Sequence, residues 1–211
     1  MLDCVTWATA HLFGSALAEQ HRLRYRVFVQ RAGWNVPHIN EMEWDQYDTP
    51  AAHYLVWRDP EGVARGVVRT SPTDIPYMIA DIWPELVTEA PLAHAADVWE
   101  CTRLAVDPTA PPALRREIRN ELVVGMIEFG VARGIREFLH LTPMAFVRSI
   151  FWGNDFTTRL IGGPAPIDGI ACGVCATESS EAALATVRAA TGITGPVVRW
   201  PHDVVPATEA A

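Results

Sequence analysis

The residues best equipped for chemistry lie in the first half of the chain. Residues 41–50, EMEWDQYDTP, carry Glu41, Glu43, Asp45 and Asp48 beside Trp44 and Tyr47, with no base among them. That composition suits either a solvated loop or one wall of a site for a cation, where carboxylates supply charge and ring faces a polarisable surface. A second signal is Glu100 in the otherwise apolar run VWECTRLAVD. A carboxylate buried alone is costly, so Glu100 needs partners. Arg24, Arg69 and Arg103 are the candidates, with Asp45 and Asp48 as further acids. This set can be a structural ion-pair web. Together with Phe28 and Trp34 it also reads as a pocket for a zwitterion with an extra positive charge. Arginine would hold a carboxylate, the acids an amine, and the rings a sulfonium or a purine.

Other familiar chemistry is missing. There is no lysine, so Schiff-base lysine chemistry and a phosphate loop ending in Gly-Lys are excluded. The seven histidines form no H-E-x-x-H, and no G-x-S-x-G occurs. His140 reads as a core or surface residue of a strand. Cys172 and Cys175 form a C-x-x-C, but on a strand positions three apart point to opposite faces, and no second pair completes a zinc site. No metal is expected. Arg115, Arg116 and Arg119 open a helix, with Arg115 and Arg119 on one face. They form either a solvated face or a dock for phosphates or an acidic partner.

The elements that must position these residues follow from periodicity and punctuation. Residues 8–30 suit an amphipathic helix ended by Gly33. The acidic loop comes next, then a hairpin from AHYLVWRD and GVARGVVRTS around Asp59-Pro60-Glu61-Gly62. SPTDIPYM reads as a loop and DIWPELV as a short helix. VWECTRLAVD reads as a buried strand with Trp99, Cys101, Arg103 and Ala105 on one face and Val98, Glu100, Thr102, Leu104 and Val106 on the other. PPALRREIRNELVVGMIEFGVARG is a helix with a proline start and the stop at Gly134. IREFLHLT is a strand, PMAFVRSIFWGN a helix from Pro143, and TRLIGGPAPIDGIACGVCA a strand, turn and strand. SEAALATVRAATG is a helix with a serine cap. The expected architecture is an α/β, mixed sheet with helices on both faces, in one domain over residues 1–211 with a loose tail from 201.

The totals agree. With 211 residues, nearly half of them apolar, the chain can bury a core. Its net charge of -8 argues against nucleic acid or an anionic membrane as partner. No run reaches the roughly 18 apolar residues of a membrane span, the N-terminus lacks a basic leader, and four cysteines are no disulfide framework at this length. A cytoplasmic location is expected.

Four separated blocks resemble the acyl-homoserine lactone synthases, the autoinducer synthases of quorum sensing. They are LRYRVFVQRAGW (Arg24, Phe28, Trp34), EMEWDQYD (Glu43, Asp45, Tyr47, Asp48), GVVRTSPTDIPYM (Arg69, Pro72, Thr73, Pro76, Met78) and WECTRLAV (Glu100, Arg103). Order and spacing agree within residues 22–106. The likeness is looser from 107 to about 170, where IGGPAPIDG fits, and little is added beyond.

The resemblance implies an acyltransferase fold similar to the GCN5-related N-acetyltransferases, with a sheet splayed between strands 98–106 and 136–142 to admit an acyl chain. It implies a two-step reaction. The α-amine of S-adenosyl-L-methionine attacks an acyl thioester, and the methionyl carboxylate then attacks its own γ-carbon and expels methylthioadenosine. S-adenosylmethionine is thus a substrate, and no cofactor is implied. Glu100 is the implied base, directly or through water, with Asp45 and Arg24 beside it as catalytic candidates. Phe28, Trp34, Asp48, Arg69, Arg103 and Thr102 would bind S-adenosylmethionine; the family usually has Ser where Thr102 stands, and the hydroxyl is kept. Met78, Leu141, Thr142, Phe146, Ile150 and Trp152 would line the acyl pocket, whose bulk favours a short, branched or aryl group. The donor is acyl carrier protein or acyl-coenzyme A, met by Arg115, Arg116 and Arg119. The glycine-rich pyrophosphate loop of the acetyltransferases is absent before the long helix, which counts against the runner-up, another N-acyltransferase of this fold using acyl-coenzyme A on a different amine. A catalytically silent ligand-binding protein is the third reading.

Overall fold

The structure, a computed structural model, describes residues 1–204. In chain order its elements are β1 (Leu2–Val5), a 3-10 turn (Ala10–Phe13), α1 (Ala16–Arg24) running into a π-helical segment (Tyr25–Arg31), β2 (His38–Ile39) and β3 (Met42–Glu43). Then come β4 (His53–Arg58), β5 (Ala64–Pro72), α2 (Met78–Ile82), β6 (Val98–Val106), α3 (Pro112–Arg133), β7 (Glu137–Pro143) and α4 (Met144–Phe146), which continues as a π-helical turn (Val147–Phe151). β8 (Thr158–Ile167), β9 (Ile170–Glu178), α5 (Glu181–Thr191), β10 (Val198–Arg199) and α6 (Pro201–Val204) complete it. The chain packs as two compact units, each assembled from separate segments.

The first unit comprises residues 1–69, 103–125 and those from 197 on. Its strands run in the order β10-β1-β4-β5-β6. β1 pairs parallel with β10 and antiparallel with β4. Neither β1 nor β10 was expected. LDCV is only four residues long, with Asp3 breaking its apolar pattern, and that buried carboxylate is satisfied by Arg58 (2.7 Å) and Arg199 (2.7 Å). The core gathers Val5, Phe13, Leu23, Phe28, Tyr54, Val56, Val67 and Ala105. Gly66 on β5 admits α3 closely: a Cβ there would lie 2.3 Å from Ile118 Cγ2. The expected continuous helix over 8–30 is broken at Gly14, which takes a φ of 59°. The acidic loop begins as a hairpin, with Asn40 and Glu41 at its tip in the left-handed region.

The second unit comprises residues 70–102 and 126–196, with strands in the order β5-β6-β7-β9-β8. β7 and β9 pair antiparallel along all of β7, and β8 and β9 form a hairpin closed by Asp168-Gly169, both at positive φ. One face of β7 packs Leu139 and Leu141 with Tyr77, Ile79, Val98, Ile161 and Val174. β6 and β7 pair in parallel at only three positions, Val98 with Glu137, Trp99 with Phe138 and Glu100 with Leu139. β7 stays bonded to β9 as far as Pro143, so the two strands part after Glu100. The expected SPTDIPYM loop is shorter than its sequence suggested, because Ser71 and Pro72 finish β5 and Met78 starts α2. Ser180 caps α5 as expected, accepting from Ala183 N–H at 3.1 Å. Of the expected loose tail, residues 201–204 form α6 and the rest lies outside the described residues.

Candidate active site

Three arginines and three carboxylates of the first unit close into a ring. Arg24 donates from Nε to Glu43 (2.5 Å) and through both Nη atoms to the two oxygens of Asp48 (2.7 and 2.8 Å). Arg103 donates to Glu43 (3.0 Å) and to Asp45 (2.6 Å). Arg69 donates to Asp45 (2.6 and 3.1 Å) and to Asp48 (2.9 Å). Each acid therefore bridges two different arginines, and the formal charge of the ring is zero. Asp48 also accepts from Tyr54 Oη (2.8 Å) and from Asp45 N–H (2.8 Å). Burial alone would raise the pKa of Asp48, but hydrogen bonding to Arg24 and the charges of Arg24 and Arg69 hold it well below the carboxylate range. Burial opposes the charge of Arg24 too, and Asp48 and Glu43 overcome it.

Two corrections follow from this geometry. Glu43, Asp45 and Asp48 meet arginines first and do not stand as a surplus of negative charge, while Glu41 is exposed at the hairpin tip. Arg24, expected as a catalytic candidate in the charged cluster that shapes the pocket, has a side chain 0% exposed and spends its guanidinium on Glu43, Asp48 and a longer bond to Gln20 (3.4 Å). It is the keystone of the ring. The members that reach solvent most are Asp45 and Arg103, at 11% and 7%.

Local backbone departures aim the rest. The π-helical segment after α1 and Gly33, at φ 71°, fold the chain so that Trp34 N–H donates to Phe28 O (2.9 Å) and the two rings stack at 4.7 Å. The Arg103 guanidinium lies 5.6 Å from the Phe28 ring centre and 5.9 Å from that of Trp34. Trp34 remains exposed. Arg103 itself has a φ of 54°, rare for a residue with a side chain and worth about 1–3 kcal/mol of strain. The bonds Thr73 N→Val98 O and Asp107 N→Arg65 O span eight steps along β5 but nine along β6. The extra residue is a bulge, and it turns Arg103 towards Glu43 and Asp45. The strict two-face alternation expected along 98–107 therefore fails at Arg103.

Glu100 belongs to the second unit. Its carboxylate accepts from the backbone N–H of Met78 (3.0 Å) and of Ile79 (2.7 Å), partners not considered from sequence. Cys101 is buried and its thiol is pushed up by that burial. Thr102 is half-buried. Among the acyl-pocket candidates Met78 and Ile150 are buried, Leu141 packs on the Tyr77–Ile79 cluster and Thr142 is half-buried. Phe146 and Trp152 are exposed, contrary to expectation. The π-helical turn at 147–151 changes the angular spacing, so Val147, Ile150 and Phe151 point inward instead. His140 is buried, bonds Thr177 (2.8 Å) through Nε2 and stacks on Phe151, and burial lowers its pKa to about 3. Arg115, Arg116 and Arg119 lie on the first turns of α3, in the first unit, half-buried or exposed. The four cysteines are buried, and no His, Cys, Asp or Glu group fit for a metal occurs among the described residues. No helix of the described residues is long and apolar enough to cross a membrane.

Sequence reasoning missed Gln20 and Tyr54. Gln20 stands four residues before Arg24 on the same helical face, and that spacing was a usable signal. Tyr54 had none.

Comparison with known proteins adds the following. The family profile described as "Autoinducer synthase" matches residues 10–182. An acyl-homoserine-lactone synthase of Acinetobacter nosocomialis is 31% identical over 160 residues, 72% of this chain and 86% of the relative. Among solved structures, the CoA-dependent acyl-homoserine lactone synthase BjaI, determined with MTA and with SAM and isopentyl-CoA, superposes with a TM-score of 0.84 at 21% identity, over 95% of this chain and 92% of that one. A putative N-acetyltransferase from Lactobacillus plantarum reaches a TM-score of 0.52 at 18% identity, over 77% of this chain and 90% of that one. The fold is thus shared with N-acetyltransferases.

Proposed function

This chain belongs to the autoinducer synthase family, and on that premise we propose that its charged ring and stacked aromatic pair are the seat of S-adenosyl-L-methionine, within one synthase domain. The enzyme is an acyl-homoserine-lactone synthase. It transfers an acyl group from a thioester to the α-amine of S-adenosylmethionine and closes the lactone with release of methylthioadenosine.

The observation that carries the site assignment is the closed, charge-balanced ring whose most exposed members, Asp45 and Arg103, bond each other, with Arg103 beside the exposed Trp34 ring. A buried ion network is weak evidence for stability, because desolvation offsets much of the attraction; its use is in fixing geometry. Asp45 takes the ammonium of the substrate and Arg103 its carboxylate. Trp34 and Phe28 offer ring faces to the sulfonium and the adenine. Arg24, Arg69 and Asp48 act by holding the other groups in place.

Glu100 is the base. The ammonium must lose a proton before nitrogen can attack the thioester carbonyl carbon, and a positioned carboxylate supplies that transfer. C–N bond formation expels the thiolate, which leaves as thiol. In the second step a carboxylate oxygen attacks the γ-carbon while the C–S electrons return to sulfur. Sulfonium already leaves well, so this step needs mainly orientation. The parting of β6 and β7 gives the acyl chain a way between strands, against Leu141, Met78 and Ile150. The donor is a carrier-protein or coenzyme A thioester, with Arg115, Arg116 and Arg119 as its docking charges.

The test is incubation of the purified protein with S-adenosylmethionine and a panel of acyl-coenzyme A and acyl-carrier-protein thioesters. Thiol, methylthioadenosine and lactone in equal amounts are expected. Thiol without methylthioadenosine would mean a different N-acyltransferase, and no turnover with retained S-adenosylmethionine binding a silent binder.

A further inference from the structure

His140 is a buried polar side chain that the proposed chemistry leaves unused. It is 5% exposed, and its Nε2 meets the Thr177 hydroxyl at 2.8 Å. Thr177 Oγ1 in turn meets Thr158 Oγ1 at 2.8 Å. The imidazole lies against Phe151, with ring centres 4.4 Å apart, and Phe156 packs edge-on to Phe151. Val147 and Ile150 are buried on the same π-helical turn as Phe151. Nδ1 meets no hydrogen-bond partner among the described residues. Burial keeps the ring neutral at physiological pH, so one nitrogen carries a proton and the other a lone pair.

A histidine kept for packing alone would satisfy both nitrogens, because a buried polar atom without a partner is costly. The place of this one is also particular. Leu139 forms the last β6–β7 pair, with Glu100, and His140 is the next residue of β7. β7 lies between β6 and β9. Thr177 stands on β9 opposite Phe138, and the two nitrogens of an imidazole point to opposite edges of the ring. With Nε2 turned to β9, Nδ1 turns away from it, to the side on which β6 has parted. Resting on the reading that the acyl chain enters where β6 and β7 part, we propose that His140 is a specificity-determining residue of the acyl pocket, whose Nδ1 hydrogen-bonds an oxygen substituent on the chain. The substrate class is an acyl thioester with a carbonyl or hydroxyl oxygen besides that of the thioester. The hydroxyls behind the ring serve both. With Thr158 donating to Thr177 and Thr177 to Nε2, Nδ1 carries the proton and donates to a carbonyl. In the other tautomer Nε2 donates to Thr177, Thr177 to Thr158, and Nδ1 accepts from a hydroxyl. A plain alkyl chain satisfies neither tautomer.

The test measures kcat/KM of the unaltered enzyme and of His140→Leu for acyl thioesters in matched pairs: oxo- and hydroxyacyl groups against their unsubstituted parents, and hydroxyphenyl- against phenyl-bearing acyl groups. The unaltered enzyme should favour the oxygenated member of at least one pair by about 5- to 150-fold, the scale of a buried polar group paired rather than unpaired. His140→Leu, in which Thr177 keeps Thr158, should bring that ratio to about one and leave KM for S-adenosylmethionine unchanged. A purely structural role would lower both members of a pair alike. Nitrogen NMR of the histidine-labelled, unaltered enzyme needs no variant: the Nδ1 resonance of His140 should shift on adding the oxygenated lactone and not on adding its unsubstituted parent. No preference in any pair, a preference that His140→Leu retains, or an Nδ1 resonance indifferent to the oxygenated lactone overturns the assignment while the synthase reading stands. Lactone from no thioester at all would instead remove the reading on which it rests.

Discussion

Replacing Asp48 by Asn probes the ring most sharply, because the shape is kept and the charge is lost. Asp48 accepts five hydrogen bonds, two from Arg24 and one each from Arg69, Tyr54 and Asp45 N–H. In Asn the amide nitrogen would face arginine donors on one side, and the ring would carry an uncompensated positive charge. Removing one member of a buried ion pair costs about 3–5 kcal/mol. A domain of this size loses about 2–4 °C in Tm per kcal/mol, so a drop of about 6–20 °C is expected. The pH dependence has a definite sign. The folded pKa of Asp48 is depressed, so its contribution is complete above the unfolded carboxyl value of about 3.9 and is lost as pH falls towards the folded value. Thermal unfolding of both proteins should show a constant gap from pH 7 to about 5 that closes below about 4. A gap under about 1 kcal/mol at pH 7, or one that widens in acid, would refute the reasoning.

Further expectations concern other groups. Trp34→Ala should weaken S-adenosylmethionine binding by about 1–2 kcal/mol, roughly 5- to 30-fold in Kd, by removing the open ring face; an unchanged titration would exclude that contact. Reversing the charge at Arg115, Arg116 and Arg119 should raise KM for the acyl donor and leave KM for S-adenosylmethionine alone, with a loss confined to carrier-protein thioesters identifying the partner. His140, with its pKa lowered to about 3, should reduce stability progressively as pH falls from about 6.5, because the unfolded chain takes up a proton that the buried ring refuses. His140→Gln should flatten that part of the stability curve, measured by urea unfolding.

What was legible in the sequence depended on where the backbone obeys its usual periods. α3 and α5 carried their caps and stops in plain residue types, and the β4–β5 and β8–β9 hairpins were marked by Asp-Pro-Glu-Gly and Asp-Gly. Charged types at the ring positions, with the resemblance, picked out Arg24, Asp45, Asp48, Arg69 and Arg103 together. Their pairing was not readable, because which acid bridges which arginine depends on turns such as the Asp45 carboxylate receiving Tyr47 N–H. Arg103 was assigned to the wrong side of its strand because a bulge at a residue other than glycine leaves no trace in composition. Phe146 and Trp152 were misjudged for a similar reason, a π-helical turn inside an apparently regular helix.

A crystal structure of the chain with methylthioadenosine bound tests the central claim most directly. The account requires the adenine or its thioether against the Trp34 and Phe28 rings, with Asp45 and Arg103 lining the same cavity and the six-membered ion ring intact. Nucleoside bound away from Trp34, with Asp45 and Arg103 still facing solvent, would contradict it.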